Sequence, residues 1–261
     1  MGTYSSATRQ GAYEPFDLQV ARGQITNHET QFQFGVNTSV GTSVATIWNG
    51  PTTTYAYPAA ATVLKISSSD TNDTSAGTGA RTVLINGLNA NYQETSEIVT
   101  LNGQTPVNTA NSYLRFHYME VLTAGSGGGA AGTIYAGTGS VTGGVPAVAY
   151  GLITSAYNTS AAAMWTVPAG YTAYMTSCVW TSGNTSANVV VTGQMFSRTV
   201  GGVLTLESSC KILAGNTFHR NFDQPLRFQE KTDIEMRASS SAAGSQVTGE
   251  FHIIYIKNDY P

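Results

Sequence analysis

Charge is what this chain has least of. Only 12 Lys and Arg and 15 Asp and Glu stand among 261 residues, well under the roughly 25% charged content of an ordinary globular domain. The net charge is −3, and Lys and Arg occur as isolated residues rather than blocks. A nucleic-acid binder needs a basic patch to neutralise phosphates, so no direct nucleic-acid partner is expected. Cysteine is almost missing as well: Cys178 and Cys210 are the whole complement. Two are too few for a disulfide scaffold. They read as buried thiols, with pairing left open should their strands be neighbours. No apolar run approaches the roughly 18 residues of a membrane helix, so no membrane partner is expected. Nor does any stretch hold a helical period; the alanine-rich 160–163 admits one turn at most.

Catalytic signatures are lacking too. His28, His117, His219 and His252 form no close motif, and HExxH is absent. Serines are plentiful without a GxSxG elbow. The Gly-rich tracts have no Lys-Ser/Thr end or following helix to cradle phosphate. Glu94 and Glu97 face opposite sides of a strand at their spacing, which is poor geometry for paired acid and base work. Asp70, Asn72 and Asp73 look like a hard-cation loop, but they offer too few oxygens for Ca²⁺. Turn capping is the preferred reading. The chain is therefore expected to be no enzyme and to need no cofactor or metal. Its start lacks the basic-then-apolar pattern of a secretory leader, so synthesis in a host cytoplasm is expected.

What the chain has in plenty is turn-formers between short apolar runs. Glycine numbers 28, serine and threonine together 60, and tyrosine 14. The aromatics, 10% of the chain, argue against disorder. β-favouring runs recur at 62–67, 81–85, 97–101, 113–123, 132–136, 171–180, 188–196, 203–206, 231–238 and 249–256. Asn86-Gly87 and Asn102-Gly103 read as tight turns. Residues 168–170 (Pro-Ala-Gly) read as a reversal.

The expected fold is all-β. An extended N-terminal arm covers 1–45, a β-sandwich 46–140, and a second sandwich, jelly-roll-like, 141–261. The division rests on the Gly-rich stretch 137–144, too poor in side chains for a core strand. In the arm, Phe16, Leu18 and Val20 are scattered apolar anchors, Phe32 and Phe34 alternate as a short edge strand, and Trp48 anchors the junction. Phe218, Arg220 and Phe222 flank a loop that suits a contact surface. His117, His252 and Ile254 sit in strands apolar on both faces, which belong between layers or at a subunit interface.

Several longer stretches carry a resemblance. They are residues 17–24 (from Asp17 to Gln24), 47–50 (Ile47-Trp48-Asn49-Gly50), 76–82 (from Ala76 to Thr82) and 99–103 (from Val99 to Gly103). To these add 122–127 (from Leu122 to Gly127), 166–174 (from Thr166 to Tyr174) and 225–233 (from Pro225 to Asp233). In this order, over nearly the whole chain, they resemble a family of structural proteins of tailed bacteriophages, frequent among viruses of cyanobacteria and other aquatic bacteria. The resemblance implies a virion component, foremost a capsid cement or decoration protein. Such a protein sits on the outer head lattice as a homo-trimer or homo-dimer, with the major capsid protein as its partner. A tail or head-to-tail connector is the nearest alternative. A glycan-binding adsorption module is a third, with Trp48, Trp165, Trp180 and the tyrosines as stacking platforms.

Overall fold

Along Val190–Arg198 every second position, Val191, Gly193, Met195 and Ser197, is buried. That period of two is the signature of a strand with one face on a core, and it dominates the molecule. The computed structural model describes residues 14–155, 157–184 and 188–258. One short helix, α1 (Phe16–Ala21), leads into β1 (His28–Val40), β2 (Ala45–Thr46), β3 (Thr62–Ser68) and β4 (Ala80–Leu88). There follow β5 (Glu94–Thr100), β6 (Val107–Tyr113), β7 (Arg115–Ala124), β8 (Ile134–Thr142) and β9 (Val145–Ile153). The last strands are β10 (Met164–Thr166), β11 (Tyr171–Ser182), β12 (Val190–Arg198), β13 (Thr205–Leu213), β14 (Thr217–Phe228), β15 (Asp233–Ser240) and β16 (Ser245–Lys257).

The chain is all-β, as expected, and every pairing between named strands is antiparallel. Two sheets, ordered β1-β16-β11-β14 and β10-β15-β12-β13 with β2 joined to β15, supply one large core. Trp180, Met195, Met236, Phe251 and Trp165 lie at its centre. Two more, β6-β3-β8-β9 and β5-β4-β7, supply a second core around Leu64, Ile66, Ile85, Met119 and Ile134. A smaller aromatic cluster of Trp48, Tyr55, Ala162 and Met164 lies apart from both.

Several details depart from the sequence reading, each for a physical reason. Residues 28–40, placed in an arm, form β1 and pair with β16 from His28↔Ile256 to Val40↔Ser245. Gly35 permits this: a Cβ there would lie 2.2 Å from the Ile47 carbonyl oxygen and 2.3 Å from the Ala163 nitrogen. Residues 14–27 hold α1 and its following turn, while residues 1–13 of the expected arm lie outside the described residues. The boundary expected at 140/141 falls inside the β8–β9 hairpin, which reverses through Gly143 and Gly144, both at positive φ. The run expected at 113–123 is one strand, β7, from Arg115 on, but its first residue, Tyr113, ends β6: the chain bends at Leu114 and passes from the β3 sheet to the β4 sheet. Asn86-Gly87 makes no turn but lies inside β4, and the reversal comes at 89–93, where Tyr92 takes φ 61°. The alanine-rich 160–163 forms no helix.

In the loop after β3 the two aspartates cap turns and tie backbone segments together. Asp70 Oδ1 accepts from the backbone N–H of Asn72 at 2.8 Å. Asp73, fully buried, accepts from the Ser68 hydroxyl at 2.5 Å and from the backbone N–H groups of Ala80, Ala131 and Gly132 at 2.7, 2.9 and 2.9 Å. One carboxylate thus ties three segments together. Among the described residues no cluster of His, Cys, Asp and Glu could hold a metal ion. Replacing Asp73 by Asn turns an amide N–H₂ towards donors. It should cost about 2–3 kcal/mol of unfolding free energy, read from the urea midpoint at unchanged m-value.

Candidate functional site

The residues singled out for contact sort onto different faces. Strand partners directly opposite share a face, so Phe32, paired with His252, and Thr30, paired with Ile254, belong to one surface of the β1 sheet. Phe32 is 48% exposed, with its ring centroid 4.9 Å from His252 and 6.0 Å from Phe34 in a stacked arrangement. Helix α1 lies on β1. It buries Val20 and leaves Phe16 51% and Leu18 46% exposed. Phe16 meets the His28 ring edge-on at 5.9 Å. Ile254 is buried. Beside it opens a recess of about 500 Å³ lined by Asp17, Phe32, Asn221 and His252. Phe16 and Leu18 on α1, and Phe32 on the strand it packs against, are thus large apolar groups left about half in water.

Phe218, Arg220 and Phe222 do not join this surface. Phe218 pairs with the fully buried Trp180 and turns towards the core, whereas Arg220, opposite Cys178, stays exposed. Phe218 and Phe222 pack against the large core. Arg220 donates to the Ser208 hydroxyl at 2.7 Å and lies over the Phe222 ring at 5.7 Å. They close the gap between the edge strands β13 and β14. Cys178 and Cys210 are unpaired and buried, and burial pushes their thiols up to about 12 and about 11. At neutral pH neither is a nucleophile.

His117 lies in a polar seam between the two cores. Its Nε2 accepts the Thr166 backbone N–H at 3.3 Å, and its own carbonyl accepts from the Gln33 side chain at 3.2 Å. Burial, aided by the Arg115 charge and opposed by that of Asp233, pulls its pKa down to about 3, so it is a neutral acceptor.

The seam's centre was invisible in the sequence. Asp233, buried at the start of β15, accepts from Arg115 Nε at 2.7 Å, Arg198 Nη2 at 2.7 Å and the Thr166 hydroxyl at 2.7 Å. Both guanidiniums lie against the Tyr57 ring, at 4.9 and 4.8 Å. Next to them Glu235 pairs with Arg237 at 2.8 Å and accepts from the Thr46 hydroxyl. Glu94 is engaged across the same seam by the Tyr255 hydroxyl at 3.3 Å. Glu97 is spent on the backbone of Ala110 and Asn111. Neither carboxylate has the freedom of an acid–base pair.

A wide groove of about 1310 Å³ runs between two sheet edges. Phe34, Val36 and Asn37 of β1 line one side, and Val145, Val148 and Ala149 of β9 the other. Its lining contains no charged side chain. The tryptophans offered as glycan platforms are not there to stack: Trp48, Trp165 and Trp180 are all buried, and the tryptophan-based form of that reading falls.

No family model matches the chain, and no curated protein does. Among solved structures, one of the infectious bursal disease virus Gt strain is 11% identical over 95% of this chain and 80% of that chain, with a TM-score of 0.22. A structure of the Gx strain is 11% identical over 90% and 74%, with a TM-score of 0.26. The crystal structure of the infectious bursal disease virus VP2 subviral particle is 9% identical over 91% and 74%, with a TM-score of 0.24. Overlap at that level carries no argument about fold or function.

Proposed function

We propose that this chain is a non-enzymatic structural component of a virion, a cement or decoration protein made in the host cytoplasm and seated on the outer capsid surface. Its partners on this reading are the major capsid protein and further copies of itself in a homo-trimer or homo-dimer. The observation that carries the reading is that large apolar side chains stand about half exposed in one region, Phe16 and Leu18 on helix α1, which packs on β1, and Phe32 on β1 itself. Large apolar groups left in water on a surface poor in charge are stabilised by a partner that covers them. The resemblance of residues 17–24 to phage structural proteins falls on the same segment. A protein that binds only the assembled shell stabilises that shell by mass action.

The test is cosedimentation with shells assembled from the major capsid protein alone. Wild type should saturate the shells. The double variant Leu18→Asp/Phe32→Asp should bind at least 30-fold more weakly, the equivalent of about 2 kcal/mol. Its melting temperature should stay close to wild type, because both side chains are already half in water. Equal binding by the variant, or no binding by wild type, contradicts the proposal.

A further inference from the structure

An edge strand is an open template for pairing, and charge, proline and bulges are the usual guards against it. Most sheet ends of this molecule carry such guards. Strand β14 has Arg220, Asp223 and Pro225, β13 has Glu207 and Lys211, and β9 has Pro146 and two breaks of register. Strand β1 has none of them over residues 30–37: no charged side chain, no proline, and an unbroken register with β16. It ends its sheet, with β16 as its neighbour on one side. Among the described residues, the backbone of residues 33–37 makes no hydrogen bond beyond that pairing. The other edge of β1 is therefore free there.

The same stretch forms one wall of the groove of about 1310 Å³, with Phe34 and Val36 on its side and Val145 and Val148 on the other. No charged side chain lines the groove; Glu250, opposite Phe34 on β16, stands outside the lining. A charged group entering it would lose water and meet no counter-ion.

We propose that this groove binds an extended, uncharged polypeptide segment of a partner protein, which adds as a strand to the free edge of β1. Two observations select that occupant. The open edge presents backbone N–H and C=O groups at the alternating spacing of a strand, which another extended main chain matches and a sugar does not. The uncharged lining selects neutral side chains, alternate ones of which pack against Phe34 and Val36. Residues 33–39 of β1 leave room for roughly seven residues of partner. This surface is distinct from the Phe16, Leu18 and Phe32 region, and the inference is independent of the capsid reading.

Selection of a synthetic library of capped random heptapeptides on the full chain tests this, with maltohexaose and cellohexaose as neutral saccharide comparators. The expected result is enrichment of peptides free of Lys, Arg, Asp and Glu, with apolar residues at alternate positions. In the tightest of them, N-methylation of one alternate set of amides should weaken binding by about thirtyfold. Methylation of the other set should cost less than about threefold, because an added strand donates to β1 from one side alone. Val148→Lys should weaken binding about tenfold and melt close to wild type, since Val148 is already 43% exposed. Four results would overturn the proposal. They are no enriched peptide, enrichment of charged peptides, equal effects of the two methylated sets, and saturable binding of a saccharide that displaces the peptide. Undiminished binding by Val148→Lys would also remove the groove as its site.

Discussion

Asp233→Ala should lose about 5 kcal/mol of stability, the upper end of what breaking one buried ion pair costs. The loss has two sources. Arg115, with a side chain only 10% exposed, keeps its charge but loses the carboxylate that stabilised it; an uncompensated buried guanidinium is far costlier than the pair was favourable. Arg198 suffers less, because its 32% exposure gives it solvent. The Thr166 hydroxyl loses its acceptor too. Removing both members of the more buried pair should therefore hurt less than removing the anion alone. Arg115→Met/Asp233→Leu should recover at least half of the loss, and a double-mutant cycle should show strong coupling. Urea unfolding of wild type, Arg115→Met, Asp233→Leu and the double variant measures this coupling; additive losses would contradict it.

The second large effect is acid sensitivity through His117. Folding holds this ring neutral, with a pKa of about 3 against an unfolded value of 6.5. Between those values the unfolded chain binds the extra proton, so stability rises with pH through that window. The contribution is full above pH 6.5 and is lost as the pH falls towards 3. It amounts to about 2 kcal/mol between neutral pH and pH 5, and about 5 kcal/mol over the whole window at 1.36 kcal/mol per pKa unit. Arg115 and Asp233 face the ring with opposite signs, and burial outweighs both. His117→Gln retains an acceptor for the Thr166 N–H without a titrating proton. Its stability should be flatter than wild type by about 2 kcal/mol between pH 7 and pH 5. Parallel pH profiles would show that the ring is protonated without penalty.

How much of this was legible in the sequence depends on the range of the interactions. Alternation in 188–196 and 231–238 is local and was readable as strands; β12 and β15 stand there. The partner of Phe32 and Phe34 was not, because β16 lies more than two hundred residues away in register with β1, and a single edge-strand pattern looks the same whatever it pairs with. Asn86-Gly87 carried a genuine turn signal that the tertiary structure overrode. A Cβ on Gly87 would lie 2.1 Å from the Arg115 carbonyl oxygen, so the glycine serves strand packing instead of reversal. The break at Leu114 had no Gly or Pro to announce it. Strand β14 was missed because most of its residues are exposed and few are apolar, which leaves no period to read. The seam is the hardest case. Tyr57, Arg115, Arg198 and Asp233 come from four distant points of the chain, and nothing local distinguishes them from other tyrosines, arginines and aspartates.

The measurement that tests the virion reading most directly is the amount of this chain, by quantitative mass spectrometry, in purified particles that carry it, scaled to the major capsid protein. Lattice decoration predicts a ratio near one or a simple fraction of it, fixed by the symmetry of the shell. A ratio on the order of one per hundred, the stoichiometry of a single ring at one vertex, would contradict the account and move the chain to the connector or the tail.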